Sequence, residues 1–305
     1  MMNDINVTAA QSDTDKRIDV FITEILSERS RSYVQKLLKN NAVTVNGRDV
    51  KANYKIKEGD CVNVDIPQDE ELSVEAEDIP LDIIYEDEDI LIVNKPKDMV
   101  VHPAAGHYSG TLVNAVMNHC RDNLSGINGV LRPGIVHRID KDTTGALIVC
   151  KNDRAHRSLA AQLEVHSISR KYIAIVHGHF KESEFTITTT IGRHPNDRKK
   201  MAINVKNGKN AVTDVKVLKE LKGYSLIECT LHTGRTHQIR VHMASVGHPV
   251  LGDEVYGPKK CPIKGLQGQC LHAYLIGFIH PSTGEYAEYT APLPDYMNEL
   301  LRKLT

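Results

Sequence analysis

The chain has 305 residues, enough for roughly two domains of about 150 residues each and for a substantial core. Its 38 Lys and Arg against 39 Asp and Glu give a formal charge of −1, a balance that counts against a nucleic-acid binder, which is usually basic. Hydrophobic residues at 41% and charged residues at 25% fit an ordinary globular protein. No apolar run approaches the ~18 residues of a membrane span. The N-terminus, MMNDINVTAAQSDTDKR, lacks the basic start and apolar stretch of a signal peptide. The cysteines (Cys61, Cys120, Cys150, Cys229, Cys261, Cys270) form no C-x-x-C pair. A reduced, cytoplasmic protein is expected, with no membrane segment, no disulfide scaffold and no metal site.

The first amphipathic stretch is RIDVFITEIL, which places Ile18, Phe21, Ile22, Ile25 and Leu26 on one helix face. A second helix follows. Ser32 and Gln35 have capping-box spacing, Val34, Leu37 and Leu38 point inward, and Arg29, Arg31, Lys36 and Lys39 are left on or near the exposed face. AVTVNGRDV then places Asn46-Gly47 between alternating residues, a hairpin signal, with Arg48 just after the turn. GDCVNVDIP reads as a further strand. Basic residues on a short helix beside a small sheet suit grip on a phosphate backbone, although such residues can equally just solubilise a helix.

Charge is segregated. Residues 68–90 hold eleven of the 39 acidic residues and no Lys or Arg, so the rest of the chain carries 38 basic against 28 acidic residues, a balance of +10. The acidic run reads as a solvated linker. It divides the chain into a small N-terminal module, 14–67, a linker, 68–82, and a large C-terminal domain, 83–301.

The large domain opens with a buried strand over 90–94, stopped by Lys95-Pro96. Gly134-Ile135-Val136 and Ala146-Leu147-Ile148-Val149 read as two strands around a polar loop, His137-Arg138-Ile139-Asp140-Lys141-Asp142-Thr143-Thr144-Gly145. Polar loops hung from buried strands often carry function. Asp153 reads as a helix cap, with Leu159 and Leu163 inside. In SISRKYIAIVHG, Tyr172, Ala174 and Val176 share one strand face, and Ile173 and Ile175 the other. A strand from Tyr224 to Leu231 runs into Thr233-Gly234-Arg235 and a helix with Ile239, Met243 and Val246 inward. His232, His237 and His242 recur every five residues, which is no zinc spacing, so structural or RNA-contacting histidines are expected. No phosphate-binding glycine motif or nucleophile elbow is present.

Two resemblances extend this reading. SRSYVQKLLKNNAVTVNGRDVKANYKIKEGD resembles the α-L RNA-binding module, with Asn40-Asn41 where a Gly often ends the helix. NKPKDMVVHP, RPGIVHRIDKDTTG, RKYIAIVHG and TGRTHQIRVHMASVGHPVLGD resemble, in order, the motifs of the large-subunit ribosomal RNA pseudouridine synthase family, with Asp98 and Ile139 as small departures. The resemblance implies an α+β chain: a small N-terminal α-L module, then a mixed, largely antiparallel-sheet synthase domain with a central cleft. It implies isomerisation of specific uridines to pseudouridine, most readily in 23S rRNA, without cofactor or metal. The same chemistry on tRNA, or a ribosome-assembly role, are the alternatives. Asp140 matches the family's catalytic aspartate and Tyr172 its active-site tyrosine. Arg235 matches the arginine that pairs with the aspartate, Arg240 being the competing choice, and a nearby guanidinium favours the ionised carboxylate. Arg138 matches a residue proposed to hold the flipped nucleotide, and Leu271 an apolar position against the base. Arg29, Arg31, Lys36, Lys39 and Arg48 are expected to contact RNA, Asp142 to stabilise the loop, and the protein to work as a monomer.

Overall fold

A computed structural model describes residues 3–26, 31–66, 74–103, 108–121, 123–127, 129 and 132–305. The chain forms two compact units, Met1–Leu72 and Ser73–Thr305.

The first unit packs α1 (Ile18–Ile25) and α2 (Arg31–Lys39) on a four-stranded sheet of β1 (Asn3–Thr8), β2 (Val43–Val45), β3 (Arg48–Asp49) and β4 (Cys61–Ile66), in the order β1-β4-β2-β3. The expected helix faces form its core: Ile18, Phe21, Ile22, Val34, Leu37 and Leu38 are buried against Val43, Val45, Val62 and Val64. The hairpin sits where Asn46-Gly47 indicates. Val45 pairs with Arg48, and Asn46 and Gly47 have φ of 50° and 75°, the left-handed pair of a type I′ turn. Two details differ from expectation, and one expected residue is not described. β1 lies before residue 14 and pairs along its whole length with β4. α2 begins at Arg31, so Ser32 lies inside it, and Gln35 Nε2 donates to Asp19 Oδ2 at 3.0 Å. Arg29 lies outside the described residues.

The second unit is built on one ten-stranded sheet. Its strands are β5 (Ile83–Glu86), β6 (Ile90–Lys95), β7 (Thr144–Cys150), β8 (Ser169–His177), β9 (Glu184–Arg193), β10 (Met201–Ile203), β11 (Lys209–Leu221), β12 (Tyr224–Leu231), β13 (Leu271–Ile279) and β14 (Tyr286–Thr290). Their order is β10-β9-β11-β12-β8-β13-β7-β6-β5, with β14 on β13. Every pairing is antiparallel except β13 with β7. This is the expected mixed, largely antiparallel sheet. Helices α3 (Leu112–Cys120), α4 (Asp153–Glu164), α5 (Gln238–Ser245) and α6 (Asp295–Leu304) flank it. The two faces of β8 divide as the alternation indicates: Tyr172, Ala174 and Val176 enter one core cluster, Ile173 and Ile175 another.

Three local expectations are corrected. Gly134-Ile135-Val136 is not a strand; a single bridge joins Ile135 to Val149. Asn152, not Asp153, caps α4, its side chain accepting from Ala155 N. Val246 is exposed, because α5 has ended at Ser245. The acidic run is also more than a solvated joint. Val74 is buried in the main core of the second unit, and Asn114 Nδ2 donates to Glu75 O at 2.7 Å. Further on, Glu86 pairs with Lys151 and His119, Asp87 with His280, and Asp89 with Arg154, while Ser282 Oγ donates to Asp89. Much of this negative charge is a hydrogen-bonded edge of the sheet.

Candidate active site

The loop before β7 is held rigidly from several sides. Gly134, at φ 70°, donates its N–H to Ser125 O and accepts from Cys150 N, both at 2.8 Å, and a Cβ there would stand 2.7 Å from Cys150 O. His137 Nε2 accepts from Ile148 N at 3.0 Å. That bond needs a neutral imidazole, and burial lowers the His137 pKa to about 3. Thr143 N donates to Asp140 O at 3.0 Å, closing a turn around the two residues between them. Gly145, at φ 110°, is where the loop enters β7; a Cβ there would lie 2.2 Å from Ala273 O. No other residue fits without moving β13.

Lys95 reinforces the same loop from below. It is fully buried at the end of β6, and its Nζ donates to Pro96 O, Met99 O and Lys141 O at 2.7, 2.9 and 2.8 Å. Burial brings its pKa down to about 7, against the opposing pull of Asp142 and Asp140. The three carbonyls satisfy an ammonium that would otherwise be costly to bury, and one of them belongs to the residue next to Asp140. Asp142 packs over Gly268, where a Cβ would meet its carboxyl group at 2.6 Å, in keeping with a place in the loop structure.

The loop presents Asp140 to a cavity of about 360 Å³, at the lower end of the ~300–1,000 Å³ typical of small-ligand sites. Tyr172 from β8, Leu271 from the start of β13, Arg138 from the loop, and Arg235 and Arg240 from the next segment line the same cavity. The sequence-based site residues of the large domain are therefore together. Tyr172 and Leu271 are buried and Arg138 is exposed. Burial, with the negative charge of Asp140, raises the Tyr172 pKa, so the phenol keeps its proton.

The arginine expected beside Asp140 is the point of correction. Arg240 Nη1 lies 2.9 Å from Asp140 Oδ2. Arg235 instead turns its Nε to Asn210 O at 2.9 Å. The turn explains this. Gln238 Oε1 accepts from Thr233 Oγ1 and Arg235 N at 2.8 and 2.9 Å, while its Nε2 donates to Val212 O and Thr213 Oγ1 at 3.0 and 2.9 Å. This bonding fixes Thr233-Gly234-Arg235 along β11. His237 then begins α5 from a left-handed conformation, φ 56° and ψ 21°, of the strained kind that clusters at functional sites. The first turn of α5 delivers Arg240, not Arg235, to the carboxylate.

Arg240 is itself held from behind. Asp253, fully enclosed, takes Arg240 Nε and Nη2 at 2.6 and 2.9 Å and also accepts from Val255 N and Tyr256 N. Burial opposes the charge of Arg240, but Asp253 and Asp140 outweigh it and raise its pKa. His237 Nε2 is 3.8 Å from Asp140 Oδ1, and its Nδ1 shares a 2.9 Å hydrogen bond with Tyr256 Oη. Burial lowers the His237 pKa despite Asp140, so the fixed counter-charge at pH 7 is Arg240. Asp253, Lys95 and Gln238 have no expected role at this site, and His237 is expected only as a structural or RNA-contacting histidine. Each stands inside a quoted motif, but nothing in their spacing shows what they hold.

Of the three evenly spaced histidines, His232 pairs with Asp214 at 2.6 Å, His237 lines the cavity, and buried His242 bridges Thr213 and Thr189 at 2.9 Å each. In the first unit Lys36, Lys39 and Arg48 are exposed. Arg31 is also exposed, but its Nε and Nη2 are committed to Asp19 at 3.1 and 2.9 Å.

A family model described as RNA pseudouridylate synthase matches residues 89–245, and one described as the S4 domain matches residues 16–62. The chain belongs to the RNA pseudouridine synthase family. It is 54% identical over 303 residues to an RNA pseudouridine synthase of Bacillus subtilis (strain 168), covering 99% of each chain. It is 46% identical over 307 residues to the ribosomal large subunit pseudouridine synthase D of Zymomonas mobilis, covering 98% of this chain and 96% of that one. Human RNA pseudouridylate synthase domain containing 1 has a similar structure, with a TM-score of 0.58 and 27% identity, over 74% of this chain and 96% of the other. The family's chemistry is an isomerisation of uridine, and the N-terminal S4 domain adds an RNA-binding module. No helix among the described residues is long and apolar enough to cross a membrane.

Proposed function

We propose that this protein converts specific uridines of 23S rRNA to pseudouridine, with Asp140 as the catalytic carboxylate acting on a base flipped out of its stack. The observation that carries this reading is the disposition of Asp140. Oδ2 is held by Arg240 at 2.9 Å, whereas among the described residues Oδ1 has His237 Nε2 at 3.8 Å, beyond hydrogen-bond distance. One carboxylate oxygen is thus fixed and the other is unheld among the described residues, in a side chain that lines the cavity. The relatives named for the large ribosomal subunit, together with the S4 domain, support rRNA as the substrate.

In the reaction the N1–C1′ bond of uridine breaks and a C5–C1′ bond forms. A proton leaves C5 and N1 gains one, so atoms balance without a donor or cofactor. Asp140 acts at the sugar, as nucleophile or as base. Tyr172 and Leu271 pack on the uracil, and the polar phenol can also accept or pass a proton. Arg138, exposed at the mouth, holds the displaced nucleotide, and flipping costs a few kcal/mol, least from a loop. Arg240 is the pairing arginine, and Arg235 a contact to RNA. Lys36, Lys39 and Arg48 take phosphates. The protein works as a monomer in the cytoplasm.

The test is pseudouridine mapping in 23S rRNA and tRNA from cells lacking the protein, complemented with wild type or Asp140→Asn. The expected result is loss of particular 23S sites, restored by wild type only. Loss confined to tRNA would overturn the rRNA assignment, and full restoration by Asp140→Asn the catalytic one.

A further inference from the structure

Arg170, two residues before Tyr172 on β8, has no role in the account above. It is only 8% exposed and lines the same cavity. Among the described residues its Nε and Nη2 have no hydrogen-bond partner. Those two atoms form the edge with which an arginine grips two oxygens at once. Arg17 uses it on Asp19 and Arg240 uses it on Asp253. Leaving it bare in a buried position costs free energy unless an acceptor arrives.

The surrounding charge identifies the acceptor. Arg138, Arg170, Arg235 and Arg240 line the cavity, and Asp140 is its one carboxylate among the described residues. Arg240 already takes that carboxylate. Arg235 faces Arg170 closely enough to oppose its charge. Gly234 makes room for the guanidinium on this wall, since a Cβ there would stand 2.5 Å from Nη1. The basic lining suits a two-oxygen anion, and a nucleotide entering the cavity brings one with it.

We propose that Arg170 is a phosphodiester-binding residue, receiving a backbone phosphate adjacent to the uridine that reaches Asp140. This rests on the function proposed above. The unheld edge of the guanidinium turns to the phosphate, and Arg235 supports it from the opposite side. Arg170 thereby selects a nucleotide in a chain over a free nucleoside.

The test uses the full-length protein and a synthetic stem-loop carrying a uridine mapped as above. One of the two linkages flanking that uridine is replaced by a neutral methylphosphonate. At one linkage, wild type loses about tenfold or more in kcat/KM, the worth of a charge-assisted hydrogen bond. In Arg170→Gln the same replacement costs less than about twofold, because the partner is already gone. Arg170→Lys, which keeps the charge without the fork, falls between. The wild-type measurement stands even where Arg170→Gln does not fold. Equal losses in wild type and both variants, or no loss in wild type at either linkage, overturn the assignment and leave a base carbonyl as the acceptor. Conversion of the unmodified stem-loop by wild type separates this outcome from failure of the proposed function, in which no pseudouridine forms at all.

Discussion

Two carboxylate–arginine clusters, one in each unit, are built in opposite senses. In the S4 domain the carboxylate of Asp19 is fully enclosed, and Arg17, Arg31 and Gln35 reach in to it, the two arginine side chains remaining 44% and 50% exposed. At the cavity the arginine is enclosed: Arg240 is 6% exposed, clamped by buried Asp253, while Asp140 keeps 20% of its side chain open. A carboxylate whose lone pairs are filled by the protein can only hold structure. One that is gripped on a single oxygen by a cation that cannot move retains an oxygen for chemistry. The difference lies in which partner is buried, and the pairing distances, 2.9 Å for Arg31 on Asp19 and for Arg240 on Asp140, do not reveal it.

The comparison can be broken most directly at its catalytic end. Asp140→Asn keeps the shape of the loop and removes the charge; single-turnover conversion is expected to fall by about a thousandfold or more, with RNA binding by filter assay changed only slightly. Asp253→Asn releases Arg240 and leaves it buried with half its grip. A kcat loss of about a hundredfold is expected, with a fall in stability of about 3 kcal/mol in urea unfolding. Unchanged kcat would show that Arg240 needs no anchor. Arg240→Gln and Arg235→Gln separate the two candidates for the pairing role. The first should lower kcat, and the second should mainly raise KM, because among the described residues the Arg235 side chain donates to Asn210 O and not to Asp140.

At the structural end, Asp19→Ala should leave kcat on a short stem-loop unaltered and destabilise the S4 domain. Burial alone would raise the Asp19 pKa, but the bonds from Arg17, Gln35 and Arg31 outweigh it and bring it to about 2, below the ordinary 3.8. Because the folded value is depressed, the stabilisation is complete above about pH 4 and is lost as pH falls towards 2. It amounts to about 2 kcal/mol. Acid unfolding followed by circular dichroism checks this; an identical acid limb in Asp19→Ala would contradict it. The smallest effect is expected at the surface. Lys36→Ala and Lys39→Ala should each reduce the salt slope of RNA binding by about one.

Much of this was legible in the sequence where local chemistry is strong. The apolar spacing from Ile18 to Leu26 gave α1, Asn46-Gly47 gave a turn, the alternation from Tyr224 gave β12 with its limits, and HRIDKDTTG gave the loop that carries Asp140. What was not legible depends on partners distant in the chain. Arg235 and Arg240 are both arginines near one turn. Only the bonds of Gln238 to β11 and the clamp from Asp253, thirteen residues beyond Arg240, decide which of them meets Asp140. The acidic run looks like a solvated linker until Lys151, Arg154 and His280 arrive from two other loops and α4 to pair with it. Lys95 reads as the end of a strand because the carbonyls that hold it belong to two loops.

The account rests on Asp140 acting on uridine from its fixed place beside Arg240. Formation of the C5–C1′ bond expels the C5 hydrogen, so 23S rRNA transcribed with [5-³H]uridine releases tritium to water as pseudouridine forms. Wild type is expected to release tritium in proportion to the sites it modifies, and Asp140→Asn, folded and RNA-bound, to release none. Release by Asp140→Asn at the wild-type rate would contradict the central claim.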